Sequence, residues 1–415
     1  MDTLPLTPPT AARWPALQEP TARALAAAPF SVVGPSLGQR ICMISDDFFP
    51  AATGVGVYLQ LVCKQLVGRG YRVSIITSRR AGEPEQEDWQ GVTVYRVFTV
   101  KLFGFYQALP SQTALCRILT HERPNVIHHH YLGIMMMRVC AVAESLGLPQ
   151  VATYHFSSEV LTQPWPMRPL RGLIRRLVVR YNNRFNLVLA PSQNLARQIA
   201  EGGIRTPVRY LTNPVAFGAT DTVVPTPRSS GFTILYAGRL GVEKNLPYLL
   251  RGFAQLVHRY PDAVLWVAGR GPEQASLEHL STKLGIANRV RFLGFLDHPT
   301  LAKHYAACDA FVLPSLLEAQ SLVTLEAMWF AKPVIVTNAI VSAAELVEAG
   351  VNGFVVDPAS PADLAERLRQ LACDPALRIA LGAAGRQRAL ACQPEPVIDS
   401  LVQSYREVMT AGVHG

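Results

Sequence analysis

Ile41-Cys42-Met43-Ile44-Ser45, then Val55-Gly56-Val57-Tyr58-Leu59-Gln60-Leu61-Val62-Cys63-Lys64-Gln65-Leu66-Val67, then Val73-Ser74-Ile75-Ile76-Thr77 is the stretch on which the fold turns. The first and last pieces are short apolar runs, the mark of strands buried on both faces. Between them Tyr58, Leu59, Val62 and Leu66 recur at the spacing of one helical face, and Gly70 follows as the terminator. Strand, helix and strand in this order make a βαβ unit, because parallel strands need a crossover between them. The expected class is α/β.

Working outward, Val126 to His128, Gln150 to Tyr154 and Leu187 to Ala190 repeat the short apolar strand, with helical or loop segments between them. From Pro214 to Gly231 both patterns lapse into a stretch holding Pro225, Pro227, Ser229 and Ser230, the composition of a linker. A second series then begins, with strands expected at Thr233–Ala237, Ala263–Val267, Val290–Phe292, Ala310–Leu313 and Pro333–Thr337. A chain of 415 residues is about twice the size of one hydrophobic core. We therefore expect a first Rossmann-like domain over 39–216 and a second over 217–395. Residues 396–415 read as a C-terminal helix able to return to the first domain. Residues 1–38, rich in Ala and Pro, read as a mobile extension or a marginal helix that packs late. Ligands of parallel sheets bind outside the carboxyl ends of the strands, so two such domains imply a cleft lined by two sets of loops.

Apolar residues make up 49% and charged residues 17%, the composition of a globular enzyme rather than a disordered chain. No stretch approaches the roughly 20 apolar residues that cross a bilayer, and the N-terminus lacks the apolar core of a secretory signal, so a cytoplasmic location is expected. Seven scattered cysteines without a C-x-x-C pair suggest buried thiols rather than disulfides or a zinc site. The net charge of +9 favours anionic partners, whether phosphates, lipid surfaces or nucleic acid, and does not choose among them.

Four constellations fall after strands. Pro314-Ser315-Leu316-Leu317-Glu318-Ala319-Gln320-Ser321-Leu322-Val323-Thr324-Leu325-Glu326-Ala327-Met328 separates two carboxylates by seven residues, Glu318 in a loop and Glu326 inside the following helix. Helix-start amides near Ser321 and Leu322 lie between them and suit a phosphate or a sugar hydroxyl. In Ala237-Gly238-Arg239-Leu240-Gly241-Val242-Glu243-Lys244-Asn245, Arg239 and Lys244 flank a glycine turn, where they can converge on one anion such as a diphosphate. Solvated surface charges are the plain alternative. Gly54, in Asp46-Asp47-Phe48-Phe49-Pro50-Ala51-Ala52-Thr53-Gly54, opens a helix and lets amides approach a phosphate closely. Ala152-Thr153-Tyr154-His155 ends a strand on a histidine, which is functional or simply structural.

These segments resemble the E-x7-E, G-R-x-x-x-x-K-N and T-Y-H signatures of the group 1 (family 4) retaining glycosyltransferases, enzymes of the GT-B fold with two Rossmann-like domains facing across a cleft. Gly269-Arg270-Gly271-Pro272, Leu293-Gly294-Phe295-Leu296 and Asn213-Pro214-Val215 resemble the family's base-side turn, base-binding loop and interdomain crossing. The resemblance runs from about Ile44 to Pro358 and implies the following roles. Glu318 and His155 orient the donor sugar, Glu326 holds the ribose, and Arg239 and Lys244, with amides near Gly54, Gly238 and Ser321, hold the diphosphate. Gly271, Leu296 and Leu322 line the nucleotide. The implied reaction moves a hexose from a nucleotide diphosphate sugar, UDP-sugar before GDP-mannose, to a lipid or glycan acceptor, with retention and with no cofactor or metal. T-Y-H with E-A-Q-S-L-V resembles the lipid-acceptor branch. The chain departs from the family where Ala319 and Ser321 replace glycines, where Ile340-Val341-Ser342 replaces a glycine pair, and where Thr53-Gly54 carries one glycine for two.

His128-His129-His130 could suggest a metal, but no carboxylate or further histidine lies near in sequence, and we expect none. Pro164-Trp165-Pro166-Met167 precedes a segment from Arg168 to Arg184 with arginines around Leu170, Leu173, Ile174, Leu177 and Tyr181. This is either a basic amphipathic helix that lies on the anionic inner face of a membrane or a helix packed on the first sheet with solvated arginines. Phe103, Phe105 and Tyr106 could add membrane or acceptor contacts. Two other classes stay open: an epimerase or phosphorylase on the same fold, and a non-catalytic nucleic-acid-binding protein. Dispersed basic residues, the absence of a recognisable module and the repulsion of Glu318 and Glu326 for phosphates speak against nucleic acid.

Overall fold

Each apolar run becomes a strand, and all but the one at Val290–Gly294, on a sheet edge, are buried on both faces. The computed structural model describes residues 38–50, 53–102, 105–130, 133–155, 169–216, 222–228 and 231–411. The expected 1–38 extension and Pro164 to Met167 therefore lie almost wholly outside the described residues. The first sheet comprises β1 (Arg40–Ile44), β2 (Arg72–Ser78), β3 (Gln86–Trp89), β4 (Val92–Val97), β7 (Val126–His129), β8 (Gln150–Thr153), β9 (Leu187–Ala190) and β10 (Val208–Tyr210). The hairpin of β5 (Thr99–Leu102) and β6 (Phe105–Ala108) stands apart. The second sheet comprises β11 (Thr233–Ala237), β12 (Val264–Ala268), β13 (Val290–Gly294), β14 (Ala310–Leu313), β15 (Val334–Thr337) and β16 (Gly353–Val356).

Strand order places the clefts. The second sheet runs β13-β12-β11-β14-β15-β16, all parallel, which is the doubly wound order that reverses between β11 and β14. The first runs β10-β9-β8-β7-β1-β2-β4-β3, parallel but for the β3–β4 pair, and reverses between β1 and β7. At these switch points the crossovers leave to opposite faces, opening a crevice above the carboxyl ends. The loops beginning at Ser45, His130, Gly238 and Pro314 sit at those four ends.

The Gly54–Gly68 helix buries Tyr58, Leu59, Val62 and Leu66, the stripe expected from its spacing, and Thr53 caps it by accepting from the Gly56 amide at 3.1 Å. The Pro394–Ala411 helix packs Val397, Ile398, Leu401, Val402, Tyr405 and Val408 into the same cluster as that stripe. Burying an aliphatic or aromatic side chain is worth about 1.5–3 kcal/mol, so six of them hold the end of the chain firmly on the first sheet. Phe105 and Tyr106 belong to the β5–β6 hairpin rather than to a loop, and Arg80 stacks on the Tyr106 ring, 4.7 Å from its centroid.

Candidate active site

Three loops of the second domain are laced together by their backbones. Gly238 donates to Ala268 O at 3.0 Å, Leu240 to Arg270 O at 3.0 Å, and Gly269 to Gly294 O at 2.7 Å. Glycine is required for this closeness. Gly269 has φ +140°, and a Cβ on it would stand 1.8 Å from Gly238 O, while a Cβ on Gly271 would stand 2.2 Å from Leu240 O. Gly238, Gly271 and Leu296 are thereby brought to one rim, with Leu296 half-buried.

Above β11 and β14 two of the charged residues meet. Lys244, at the end of the Val242–Lys244 turn, forms an ion pair with Glu318 Oε1, and both side chains are mostly buried. Ser315 Oγ donates to the same oxygen at 3.3 Å, and the Leu316 amide donates to Glu243 O at 2.8 Å, tying the two loops. Arg239 is exposed on the turn, with its carbonyl accepting from the Tyr236 hydroxyl at 2.8 Å. Ser321 caps the Leu322–Trp329 helix, accepting from the Thr324 amide at 3.2 Å. Glu326 lies in that helix, 6% exposed, with Oε2 accepting from the Tyr305 hydroxyl at 2.9 Å and Oε1 3.8 Å from His298 Nε2. A buried carboxylate so fixed can accept hydrogens from a vicinal diol.

The donor loop reaches the first domain. Gln320 Oε1 accepts from the Asn213 amide at 2.7 Å and its Nε2 donates to Thr212 Oγ1 at 2.9 Å, while Ala319 packs in the cluster of Tyr154. Tyr154 precedes His155, whose ring Nε2 is 3.1 Å from His130 Nδ1 and whose centroid is 4.8 Å from that of Tyr58. Burial pushes the His155 pKa down to about 3, so the ring is neutral at pH 7. Gly54 is exposed at its helix start, and a Cβ there would meet nothing within 4 Å.

The sequence profile described as Glycosyl transferases group 1 matches residues 223–388, and that of Glycosyltransferase Family 4 matches 52–217. The chain belongs to the group 1, family 4 glycosyltransferases. It is a GT-B glycosyltransferase that uses a nucleotide-sugar donor. Similar to it are the sulfoquinovosyl transferase SQD2 of Arabidopsis thaliana, 28% identical over 84% of this chain and 70% of that protein, and the alpha-monoglucosyldiacylglycerol synthase of Streptococcus pneumoniae, 24% identical over 72% and 70%. Among solved structures, Anabaena HepE in complex with UDP-glucose superposes with a TM-score of 0.70 and 21% identity over 90% of this chain and 99% of that one.

Within this glycosyltransferase three site neighbours escaped sequence reasoning: Tyr305, Gln320 and His130. His130 belonged to a noticed triplet. Of that triplet, His128 contacts the Tyr405 hydroxyl at 2.6 Å and Thr153 Oγ1 at 2.7 Å, and His129 contacts Gln150 Oε1 at 2.9 Å. Burial holds both pKa values down, that of His129 to about 4. Among the described residues no group of three or more His, Cys, Asp or Glu is arranged to hold a metal ion. The basic segment forms the Arg171–Asn182 helix, and of its expected stripe Tyr181 packs on the first domain together with Val178 and Val179, whereas Leu170, Leu173 and Leu177 are 44%, 54% and 39% exposed. Among the described residues no helix is long and apolar enough to cross a membrane.

Proposed function

We propose that this enzyme transfers a hexose with retention from a nucleotide diphosphate sugar, a UDP-sugar before GDP-mannose, to a lipid or glycan acceptor, and that it needs no metal. The observation that carries this reading is the Lys244–Glu318 ion pair above the switch point between β11 and β14, followed by a helix in which Tyr305 holds the buried Glu326. In the reaction, the bond from the anomeric carbon to the diphosphate oxygen breaks and the acceptor oxygen bonds to that carbon on the same face. The acceptor's proton passes to the departing phosphate oxygen. Lys244, Arg239 and the amides near Gly54, Gly238 and Ser321 stabilise the departing charge, the largest contribution available to such a site. A donor entering this site displaces Lys244 from Glu318, which frees the cation for phosphate and the carboxylate for sugar hydroxyls. Glu326 takes the ribose, Gly271, Leu296 and Leu322 line the nucleotide, and His155 faces the sugar. The UDP-glucose bound to a neighbour of the same fold and the diacylglycerol in a relative's name are consistent with this donor and acceptor.

A lipid acceptor is also favoured by the Arg171–Asn182 helix, which exposes Leu170, Leu173 and Leu177 beside Arg175, Arg176 and Arg180. Such a face suits an anionic membrane surface, on the cytoplasmic side, without insertion across it. Leu173→Ser with Leu177→Ser is expected to abolish co-sedimentation with phosphatidylglycerol vesicles, and undiminished co-sedimentation removes the helix from the membrane reading.

The test of the donor is a melting-temperature series with UDP, GDP, ADP and their sugars, because a ligand of the folded state raises Tm. Uridine ligands are expected to stabilise the wild type and to lose that effect in Lys244→Ala and Glu326→Ala, which also lose turnover while staying folded. Wild-type turnover in both variants overturns the site, and stabilisation by another nucleotide alone overturns the donor.

A further inference from the structure

The chain passes from the first core to the second within a few residues, and the donor loop grips the passage. Leu211 donates its amide to Ala190 O at 2.9 Å and lies in the first domain's cluster, whereas Val215 lies in the second domain's cluster. Thr212, Asn213 and Pro214 stand between them. On the return, Cys392 belongs to the second cluster and Val397 to the first. The two passages run side by side: the Val215 amide donates to Cys392 O at 2.8 Å, and Thr212 Oγ1 is 3.4 Å from Cys392 Sγ. A rotation of one domain against the other is absorbed here, in the backbone torsions of the linking residues. Pro214 fixes its own φ and keeps Asn213 out of the helical region, so few torsions remain to absorb it.

Gln320 bonds to the first two of these linking residues. Its Oε1 accepts from the Asn213 amide at 2.7 Å and its Nε2 donates to Thr212 Oγ1 at 2.9 Å. Gln320 and Asn213 are 8% and 5% exposed, so a broken bond leaves a buried group without its partner. The backbone on either side of Gln320 is fixed in the second domain: the Leu316 amide donates to Glu243 O at 2.8 Å, the Val341 amide donates to Glu318 O at 3.2 Å, and Ser321 caps the Leu322–Trp329 helix. The Asn213 N–H turns with the torsions of the linking residues, whereas Gln320 stays with the second domain. The two bonds therefore belong to the domain angle seen here, at which Ala319 packs in the cluster of Tyr154, and rotation breaks them. A contact made at one angle and lost at another favours the first, and by the reciprocity of coupled equilibria whatever holds the loop in place favours the same angle.

We infer that Gln320 is a positioning residue that couples the donor loop to the linking residues, so that a nucleotide sugar seated between Glu318 and Ser321 draws the two domains together. The grip on the linking residues stands on its own; the part played by the donor rests on its proposed place at Glu318 and Ser321. There the sugar engages Glu318 and the diphosphate engages the amides near Ser321, one on each side of Gln320. A donor so bound holds the loop where the two bonds are made. Closure around it excludes water from the anomeric carbon.

Gln320→Met keeps the length of the side chain and removes both bonds. Solution scattering of the full chain, with and without saturating UDP-glucose, reads the domain angle. The wild type is expected to compact on binding. Gln320→Met is expected to show a closed-to-open ratio about tenfold lower, the worth of one buried hydrogen bond, while calorimetry shows that it still binds UDP-glucose. A contact that merely supported the fold would lower Tm and leave the compaction of the folded protein unchanged. Should Gln320→Met not fold, Gln320→Asn, one methylene shorter, falls short of both partners and is expected to act in the same direction. A wild type that UDP-glucose stabilises without compacting it, or a folded variant that compacts as the wild type does, overturns the inference. A wild type whose Tm and radius of gyration both ignore UDP-glucose overturns the uridine donor instead. The ligand-free radius then decides on the grip alone: it is expected to be larger in Gln320→Met, and equal radii overturn the inference.

Discussion

Glu326 shows how a single side chain depends on one that sequence reasoning passed over. Its carboxylate is 6% exposed and can turn only as far as the Tyr305 hydroxyl at 2.9 Å allows. Tyr305 is fully buried, in ring contact with Phe311 and Phe330, so its aromatic body is core while its oxygen serves the site. Tyr305→Phe keeps the packing and removes the hydrogen bond. A hydrogen bond to a charged group is worth about 1.5–3 kcal/mol, and part of it is recovered as Glu326 relaxes toward its ligand. We expect nucleotide Kd to rise about tenfold by calorimetry, with Tm nearly unchanged. An unaltered Kd would mean that Glu326 is oriented without Tyr305. The pair is 21 residues apart, and in the sequence Tyr305 is one apolar position among several in a helix, with nothing to distinguish an anchor from core.

At the scale of elements, what could be read depended on whether a strand was buried on both faces. β9, β11 and β14 fall on their expected residues, because strands sandwiched between helix layers are continuous apolar runs. The segment from β3 to β6 was not legible. Its charges suggest a loop, yet Arg96 is buried and paired with Glu83 at 3.2 Å and Glu87 at 2.5 Å, so charge cancels inside the structure rather than in water. Gln90-Gly91, with φ of 54° and 83°, was the available turn signal. In the site, the residues that follow strands were legible as types at set spacings. His130 and His155, 25 residues apart, were each visible, but their meeting depends on β7 lying beside β8, which no spacing reveals.

The same scale separates two kinds of site glycine. Gly271 is demanded by the protein itself, since a Cβ would strike Leu240 O, whereas a Cβ on Gly54 meets nothing. Gly54→Ala is therefore expected to keep its Tm within about 1 °C, as a surface change usually costs within ±0.5 kcal/mol, while losing at least tenfold in kcat/KM if diphosphate oxygens approach the helix start. Gly271→Ala is expected to lose stability before anything else. Wild-type turnover in Gly54→Ala would remove that helix start from the donor site.

Across the whole molecule, the second domain holds the first by contacts that surround the site without entering it. Glu345, in the Ala343–Leu346 helix, accepts from the backbone amides of Gln193 and Asn194, the opening residues of the Gln193–Glu201 helix in the first domain. A carboxylate at a helix start is favoured by the aligned peptide dipoles, by 0.3–1 kcal/mol when exposed and up to about 2 when partly buried. Asn194 Nδ2 adds a contact to Val341 O at 3.4 Å, and the Val341 amide donates to Glu318 O at 3.2 Å, so the latch connects directly to the loop that carries the donor-side carboxylate. Glu345→Ala removes the latch and leaves the second domain's nucleotide contacts in place. If closure assembles the site, the closed population falls by roughly 2- to 30-fold, following the free energy of the contact. Nucleotide Kd is then expected to change less than kcat, because the second domain supplies all of those contacts except the amides near Gly54, while kcat falls and the radius of gyration in solution scattering rises. A variant with the kcat and radius of the wild type would mean that Gln320 and Ala319 close the cleft without Glu345.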